Sequence, residues 1–259
     1  MMKKTGIRGP ESVVKRMKVI RKRFAEGAGE AEGTVVIIDV FRAFSCEPLF
    51  FHFGAERVFL EARPREAMRL KREHPDWILV GEQNEVPLPG ADLGNSPSEV
   101  ILKGESFFRG RTVLHRTTAG VRGVFAAIDT ADEVLLGSYL TAAATAGYIH
   151  EISPGVVTLV AMGDRAERPA PEDDACADYI EHLLTGRSYD PLQAIKDILY
   201  QPTAQKFILG TRSYLPREDP TICLQRDLFD FALTARRADE RIRVFPVKGR
   251  GIKRPACIL

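Results

Sequence analysis

Short apolar, β-branched runs recur along the chain at residues 35–38, 57–60, 78–80, 112–114, 133–136 and 156–160. Most of the intervals between them carry helical patterning, at residues 64–73, 97–103, 121–128 and 140–150. Runs of four or five apolar residues without a polar alternate are the mark of strands buried on both faces, and strands alternating with helices give layered sheets. The pattern predicts an α/β fold, a layered α/β/α arrangement around a mostly parallel or mixed sheet. Beyond residue 160 it changes. Helices are predicted at 171–184, 191–200 and 202–209, all three opening with Pro, which suits the first helical position. Strand-like runs follow at 228–233 and 242–247. With no repeat and no long linker, residues 1–259 read as a single domain, a bilobal division near 150–160 being the variant of that reading.

Charge changes this picture only locally. The chain has 37 basic and 35 acidic residues, a net charge of +2, too balanced to name nucleic acid or a membrane surface as the main partner. The segment 1–26 is basic, with Lys3, Lys4, Arg8, Lys15, Arg16, Lys18, Arg21, Lys22 and Arg23 against Glu11 and Glu26. Phe24 is its one aromatic residue, so it reads as a solvated helix or strand edge, not a base-stacking surface. No apolar run reaches the eighteen residues of a membrane span and the start has no signal-peptide core, so a cytoplasmic location is expected. Cys46, Cys176, Cys223 and Cys257 stand far apart in the chain and read as unpaired thiols; Cys257 is third from the end, where prenylation needs the fourth position.

In an open α/β sheet, ligands bind beyond the carboxyl ends of strands. The residues there are Asp39 and Arg42 after the first long run, Glu82 after the third, His115, Thr117, Thr118 and Gly120 after the fourth, and Ser138 after the fifth. Gly163, Asp164 and Arg165 follow the sixth, and the acidic Glu172, Asp173 and Asp174 come soon after. Carboxylates, hydroxyls and Arg in these places are what a Mg²⁺-assisted phosphoester site needs, because Mg²⁺ takes one or two carboxylates together with substrate oxygens and water. Taken singly, each has a plainer reading: Asp39 could cap the next helix or pair with Arg42, and His115 could be a core residue. GxGxxG, the phosphate loop, GxSxG and HExxH are all missing. In GADLGNSPSEV, residues 90–100, Asn95 and Ser96 suit an N-cap and Pro97 the first helical turn. The same free amides could hold an anion.

IDVFRAFSC (38–46), LVGEQNEVPLPGADLGNSPSEV (79–100), LHRTTAGVRG and LLGSYLTAAATAGYI resemble, in order, the IDVLRATTT, GERGG…GFDLGNSP, TTNGT and GSFLNA segments of the 2-phosphosulfolactate phosphatase family. The acidic segment beginning GDRAERPAPEDD and the tail beginning ILGTRSYLPRED are also similar to that family. The resemblance implies an α/β, Mg²⁺-dependent phosphatase that converts 2-phospho-3-sulfolactate to 3-sulfolactate and phosphate, a step towards coenzyme M. It makes Asp39, Glu82, Glu172 and Asp173 candidate metal ligands. Asp39, Arg42 and Glu82 become candidate catalytic residues, with Asp92, Asn95, Ser96, Thr117, Thr118, Gly120 and Ser138 as candidates for substrate binding. Water and an Asp nucleophile are both open as the attacking group.

Three departures fall inside these motifs. Gln83, Asn84 and Glu85 stand where the GERGG pattern has Arg and two glycines; Thr118–Ala119–Gly120 replaces the TNG core; Ser45 and Cys46 replace two Thr. A non-catalytic or altered-specificity anion-binding protein of the same fold is therefore the alternative. The expected partner is a small phosphoester, with no membrane or nucleic acid, on a monomer or homodimer.

Overall fold

The computed structural model describes residues 17–249. The order of elements is β1 (Lys18–Arg23), α1 (Phe24–Gly29), β2 (Thr34–Ile38), α2 (Ala43–His52), β3 (Arg57–Leu60), α3 (Pro64–Glu73), β4 (Ile78–Gln83), β5 (Val86–Pro87), α4 (Pro97–Phe108) and β6 (Thr112–Arg116). Then come α5 (Gly120–Ala127), β7 (Glu133–Gly137), a 3₁₀ turn at Tyr139–Thr141, α6 (Ala142–Ile152) and β8 (Val156–Ala161). The chain continues through α7 (Pro171–Thr185), α8 (Pro191–Leu199), α9 (Pro202–Ile208), α10 (Asp219–Cys223), β9 (Ala232–Ala238) and β10 (Arg241–Val247).

Ten strands form one sheet in the order β1-β8-β2-β7-β9-β10-β3-β6-β4-β5. Strands β1, β8, β2 and β7 are mutually parallel, as are β3, β6 and β4. The hairpin β9–β10 lies between these halves, antiparallel to β7 on one side and to β3 on the other. The halves therefore run in opposite directions. In a flat sheet their carboxyl ends would lie at opposite edges. Six inter-strand steps separate β2 from β4, and ordinary twist accumulates over six steps to roughly 120–150°. That rotation undoes most of the reversal in direction, and the curl of the sheet closes the distance across it, so that Asp39 after β2 and Glu82 in β4 line one cleft.

Alternation within each strand supplies both faces. Val35 and Ile37, Val58 and Leu60, Ile78 and Val80, and Leu233 join one core with α1, α2, α4 and α5. Val36, Ile38, Leu135 and Leu159 face the other way, against α6 and α7. Leu79 and Leu114 pack on α3 with Trp77. Both faces are covered, the layered α/β/α build. Helix α2 has no polar face because it lies inside the curl of the sheet: eight of its residues, including Pro48, are buried. Caps follow the sequence closely. Ser96 accepts the Glu99 N–H at the start of α4, and Asp190 accepts two amides, from Leu192 and Gln193, at the start of α8.

One expectation narrows and another shifts. The basic N-terminal segment is, from Lys18, an edge strand whose charges meet acids of α7, Arg21 with Asp178 at 2.6 Å and Arg23 with Asp174 at 2.9 Å; its residues 1–16 lie outside the described residues, as does Cys257. The strand expected at 228–233 runs instead from Ala232 to Ala238. Its polar end is held by side-chain pairing, since Arg236 bonds Glu133 and Arg237 takes both oxygens of Asp129.

Leu233 sits fully buried in the hairpin that joins the two halves. Leu233→Ala is expected to cost about 2–5 kcal/mol, read as a lower urea midpoint at unchanged slope.

Candidate active site

A cleft of about 540 Å³, counting its open mouth, lies where the carboxyl ends of β2, β4 and β8 and the loop after β6 meet, with α9 over it. Asp39, Arg42, Glu82, Asn95, Thr118, Glu172 and Asp173 all line it. These seven come from segments up to 134 positions apart in the chain.

Asp39, Glu82 and Asp173 each accept a backbone N–H from a loop other than their own. Asp39 Oδ2 accepts the Gly120 N–H at 2.6 Å and Oδ1 the Ala43 N–H at 3.2 Å. A Cβ on Gly120 would stand 2.8 Å from Asp39 Oδ2 and 2.9 Å from Phe44 Cζ, so the close approach requires glycine. Asp173, in the first turn of α7, accepts Val40 N–H at 2.7 Å and Gly163 N–H at 2.8 Å, tying the loops after β2 and β8 together. Glu82 accepts Thr118 N–H at 2.5 Å, the Thr118 hydroxyl at 2.9 Å and Glu85 N–H at 2.6 Å. Glu172 accepts the Thr203 hydroxyl at 2.8 Å.

Burial of these groups opposes their ionisation. It pushes Asp39 up to about 6, against the pull of the two amide bonds, with the Glu82 charge adding to the rise. Glu172 rises to about 7 by burial, partly offset by Thr203 and Lys206. Asp173 is raised well above the usual carboxylate range by burial and then by the charges of Asp39 and Glu172.

Positive charge comes from three directions. Arg42 is buried, its Nη1 2.8 Å from Asp219 Oδ2 and 3.2 Å from the Tyr214 carbonyl, with its guanidinium over the Phe207 ring. Lys206, from α9, forms an ion pair with Glu85. Arg165 follows β8 in a left-handed conformation, φ +57°, and lines the cleft as an exposed side chain. Asn95 is approached from behind by a buried relay: its Oδ1 lies 3.0 Å from His115 Nε2, and His115 Nδ1 lies 2.6 Å from Glu47 Oε1. With Oδ1 engaged by the imidazole, the amide nitrogen is the Asn95 group left for a ligand.

The other sequence-selected residues lie behind this surface. Asp92 accepts Leu79 N–H at 2.7 Å and pairs with Lys71 at 2.8 Å. Ser96 donates to Asp219 Oδ1 at 2.8 Å while capping α4, and Ser98 N–H reaches the same oxygen. The anion at the start of α4 is thus Asp219 of this chain. Thr117 accepts Val121 N–H at the start of α5, Gly120 gives its amide to Asp39, and Ser138 is wholly buried away from the cleft. Lys206 and Thr203 carried no sequence signal, because the segment that holds them is an ordinary amphipathic stretch, and Asp219 lies in the tail segment similar to the family without having been singled out there. Arg165 was visible after its strand and lies in the family-like GDRAERPAPEDD segment, but was given no role there.

Among the described residues, no three His, Cys, Asp or Glu side chains form a ready metal cage. The donors nonetheless suit a hard cation: Asp39, Glu82, Glu172 and Asp173 all offer oxygen to the cleft, and each accepted hydrogen bond leaves further lone pairs. Mg²⁺ asks for only one or two such ligands beside water and substrate.

A layered α/β sheet that gathers carboxylates, guanidinium and ammonium groups at one rim has the build of an enzyme acting on a small anionic molecule. More narrowly, the family model described as 2-phosphosulpholactate phosphatase matches residues 21–236, and the chain belongs to that family, one of phosphoric monoester hydrolases. The match includes every residue that lines the cleft. The chain is 29% identical over 209 residues to the probable 2-phosphosulfolactate phosphatase of Bacillus subtilis, covering 79% of this chain and 88% of that one. It is 30% identical over 212 residues to the probable 2-phosphosulfolactate phosphatase of Caldanaerobacter subterraneus, covering 77% and 86%. Against that of Thermus thermophilus it is 34% identical over 129 residues, half of each chain.

Glu172 gives a test of the site's electrostatics. Between about pH 4.5 and 7 the folded, cation-free chain keeps a proton on Glu172 that the unfolded chain has released, so folding weakens as pH rises through this window. Glu172→Gln keeps an acceptor for Thr203 and removes the charge. Its stability gain over the parent is expected to grow by roughly 1–3 kcal/mol from pH 5 to pH 8, measured by chemical denaturation after dialysis against EDTA.

Proposed function

We propose that this protein is a Mg²⁺-dependent phosphatase that hydrolyses 2-phospho-3-sulfolactate to 3-sulfolactate and inorganic phosphate. The family match and the relatives' names supply the substrate class. The observation that carries the reading is the convergence of Asp39, Glu82, Glu172 and Asp173 with Arg165 on one small cleft. A group of buried carboxylates is costly unless opposite charge joins it, and a phosphate would meet net repulsion there without a cation.

In this reading Asp39 and Glu172 hold Mg²⁺, and Glu82 and Asp173 keep the loops in place through their amide bonds. When bound, Mg²⁺ supplies a Lewis acid that offsets charge on the phosphoryl oxygens. Arg165 meets the phosphate from the open side, where no side chain among the described residues engages its guanidinium; a planar, bidentate donor suits that role. Asn95, braced by His115, donates its amide to a phosphate or carboxylate oxygen. Thr118 is positioned by Glu82, so its hydroxyl is already committed and its part is to keep the loop after β6 against the cleft. Phe41 and Phe207, ring centroids 5.7 Å apart, wall one side and limit access of water. Phosphoryl transfer asks mainly for positioning and charge stabilisation of this kind.

Phosphate release from 2-phosphosulfolactate is expected to stop with EDTA and return with Mg²⁺. Asp39→Asn and Glu172→Gln are expected to lower kcat by about 10²–10³ with the circular dichroism spectrum retained. Arg165→Ala is expected chiefly to raise KM, about tenfold. Turnover that survives chelation and both carboxylate variants would overturn the metal assignment; tight binding of substrate without any turnover would favour an anion-binding protein instead.

A further inference from the structure

Glu85 stands in the cleft on a turn built for another residue. Asn84 and Glu85 have φ of +52° and +75°, the left-handed region that favours glycine. The resembling motif has two glycines at these positions. The turn is fastened on both sides: Asn84 N–H donates to the Thr118 hydroxyl at 2.8 Å and Glu85 N–H to Glu82 Oε2 at 2.6 Å. This backbone leaves the Glu85 carboxylate between two cations. One oxygen pairs with Lys206 Nζ, and the other lies 3.5 Å from Arg212 Nη1. A glycine could make the same turn and would leave both cations without that carboxylate.

The charges lining the cleft give Glu85 its consequence. Of Arg42, Arg165 and Lys206, the first is engaged by Asp219 and the last by Glu85. The facing carboxylates are Asp39, Glu82, Asp164, Glu172 and Asp173. A guest bearing a sulfonate besides its phosphate reaches Lys206 and Arg212 only by displacing Glu85.

We propose that Lys206 and Arg212 form a second anion subsite, for a sulfonate, and that Glu85 occupies it as a built-in competitor, making Glu85 a specificity-determining residue. The proposal rests on the phosphatase reading for its kinetic test and stands apart from it in its binding test. Removing the charge of Glu85 strengthens the hold on sulfonated esters and changes little for esters without the sulfonate.

The Mg²⁺-loaded protein is assayed with 2-phosphosulfolactate and with 2-phospholactate, the same ester without its sulfonate. Glu85→Gln is expected to lower KM for the sulfonated ester about tenfold relative to the other, with kcat little changed. Glu85→Gly, which also frees the turn of strain, is expected to show the same preference, so the effect cannot be assigned to backbone relief or to failed folding of one variant. In Glu85→Gln combined with Lys206→Gln the gain is expected to vanish. Equal shifts for the two esters, no shift, or a gain that persists without Lys206 would overturn the proposal. Calorimetry with 3-sulfolactate reads the subsite in the absence of turnover: tighter binding by the single variants supports the subsite even if no ester is hydrolysed, which would sink only the phosphatase reading, and unchanged binding rejects the subsite whatever the hydrolysis.

Discussion

Buried carboxylates that accept backbone N–H groups from distant loops are the constraint on which the site depends. Asp39 holds the loop after β6, Glu82 holds the same loop from the opposite side, and Asp173 joins the loops after β2 and β8. Each bond is short and charge-assisted when the acid is ionised. Burial nonetheless raises Asp39, Glu172 and Asp173, first because the charged form loses its solvent and then because neighbouring acids repel it. The same groups thus shape the rim and set up its demand for positive charge. Structure and chemistry are not separable here: the rim is assembled by the charges it must later neutralise.

That assembly requires the sheet to bring antiparallel halves to one edge. The hairpin β9–β10 reverses the direction of β3, β6 and β4 relative to β2, and the accumulated twist turns them back. Helix α2, lodged in the curve, carries Glu47 to His115 and so links the core to Asn95 at the cleft. A flat sheet with the same order would separate Asp39 from Glu82 by six strand spacings, close to 30 Å at about 4.8 Å each, too far for any common ligand.

Much of this was legible in the chain. The six apolar runs from residue 35 to residue 160 are all strands, because strands covered on both faces need no polar alternate, and the helices opening at Pro64, Pro97, Pro171, Pro191 and Pro202 begin at those residues. Helix α2 was hidden by Pro48 and by its lack of a polar face. Strand β9 was displaced in the reading because Arg236 and Arg237 look like loop residues until Glu133 and Asp129 are seen beside them. At the cleft, residues placed directly after strands were within reach of pattern alone. Lys206 and Asp219 were not: they enter from the helical segment between β8 and β9, whose docking depends on three-dimensional packing and leaves no mark on local periodicity. Asp92 shows the converse, a carboxylate inside a specific motif that serves its own strand, binding the Leu79 amide.

The central position of β9 and β10 carries a consequence for biosynthesis. These strands leave the ribosome after every other strand of the described sheet, yet they belong in its middle. Until they arrive, β7 and β3 each present an unsatisfied edge, the kind of surface that recruits strands from neighbouring chains. The sheet therefore cannot be completed until the last strands of the described chain have been made. Sequence-distant pairing of this sort slows folding, and a cell making the protein quickly would rely on chaperones to shield those open edges.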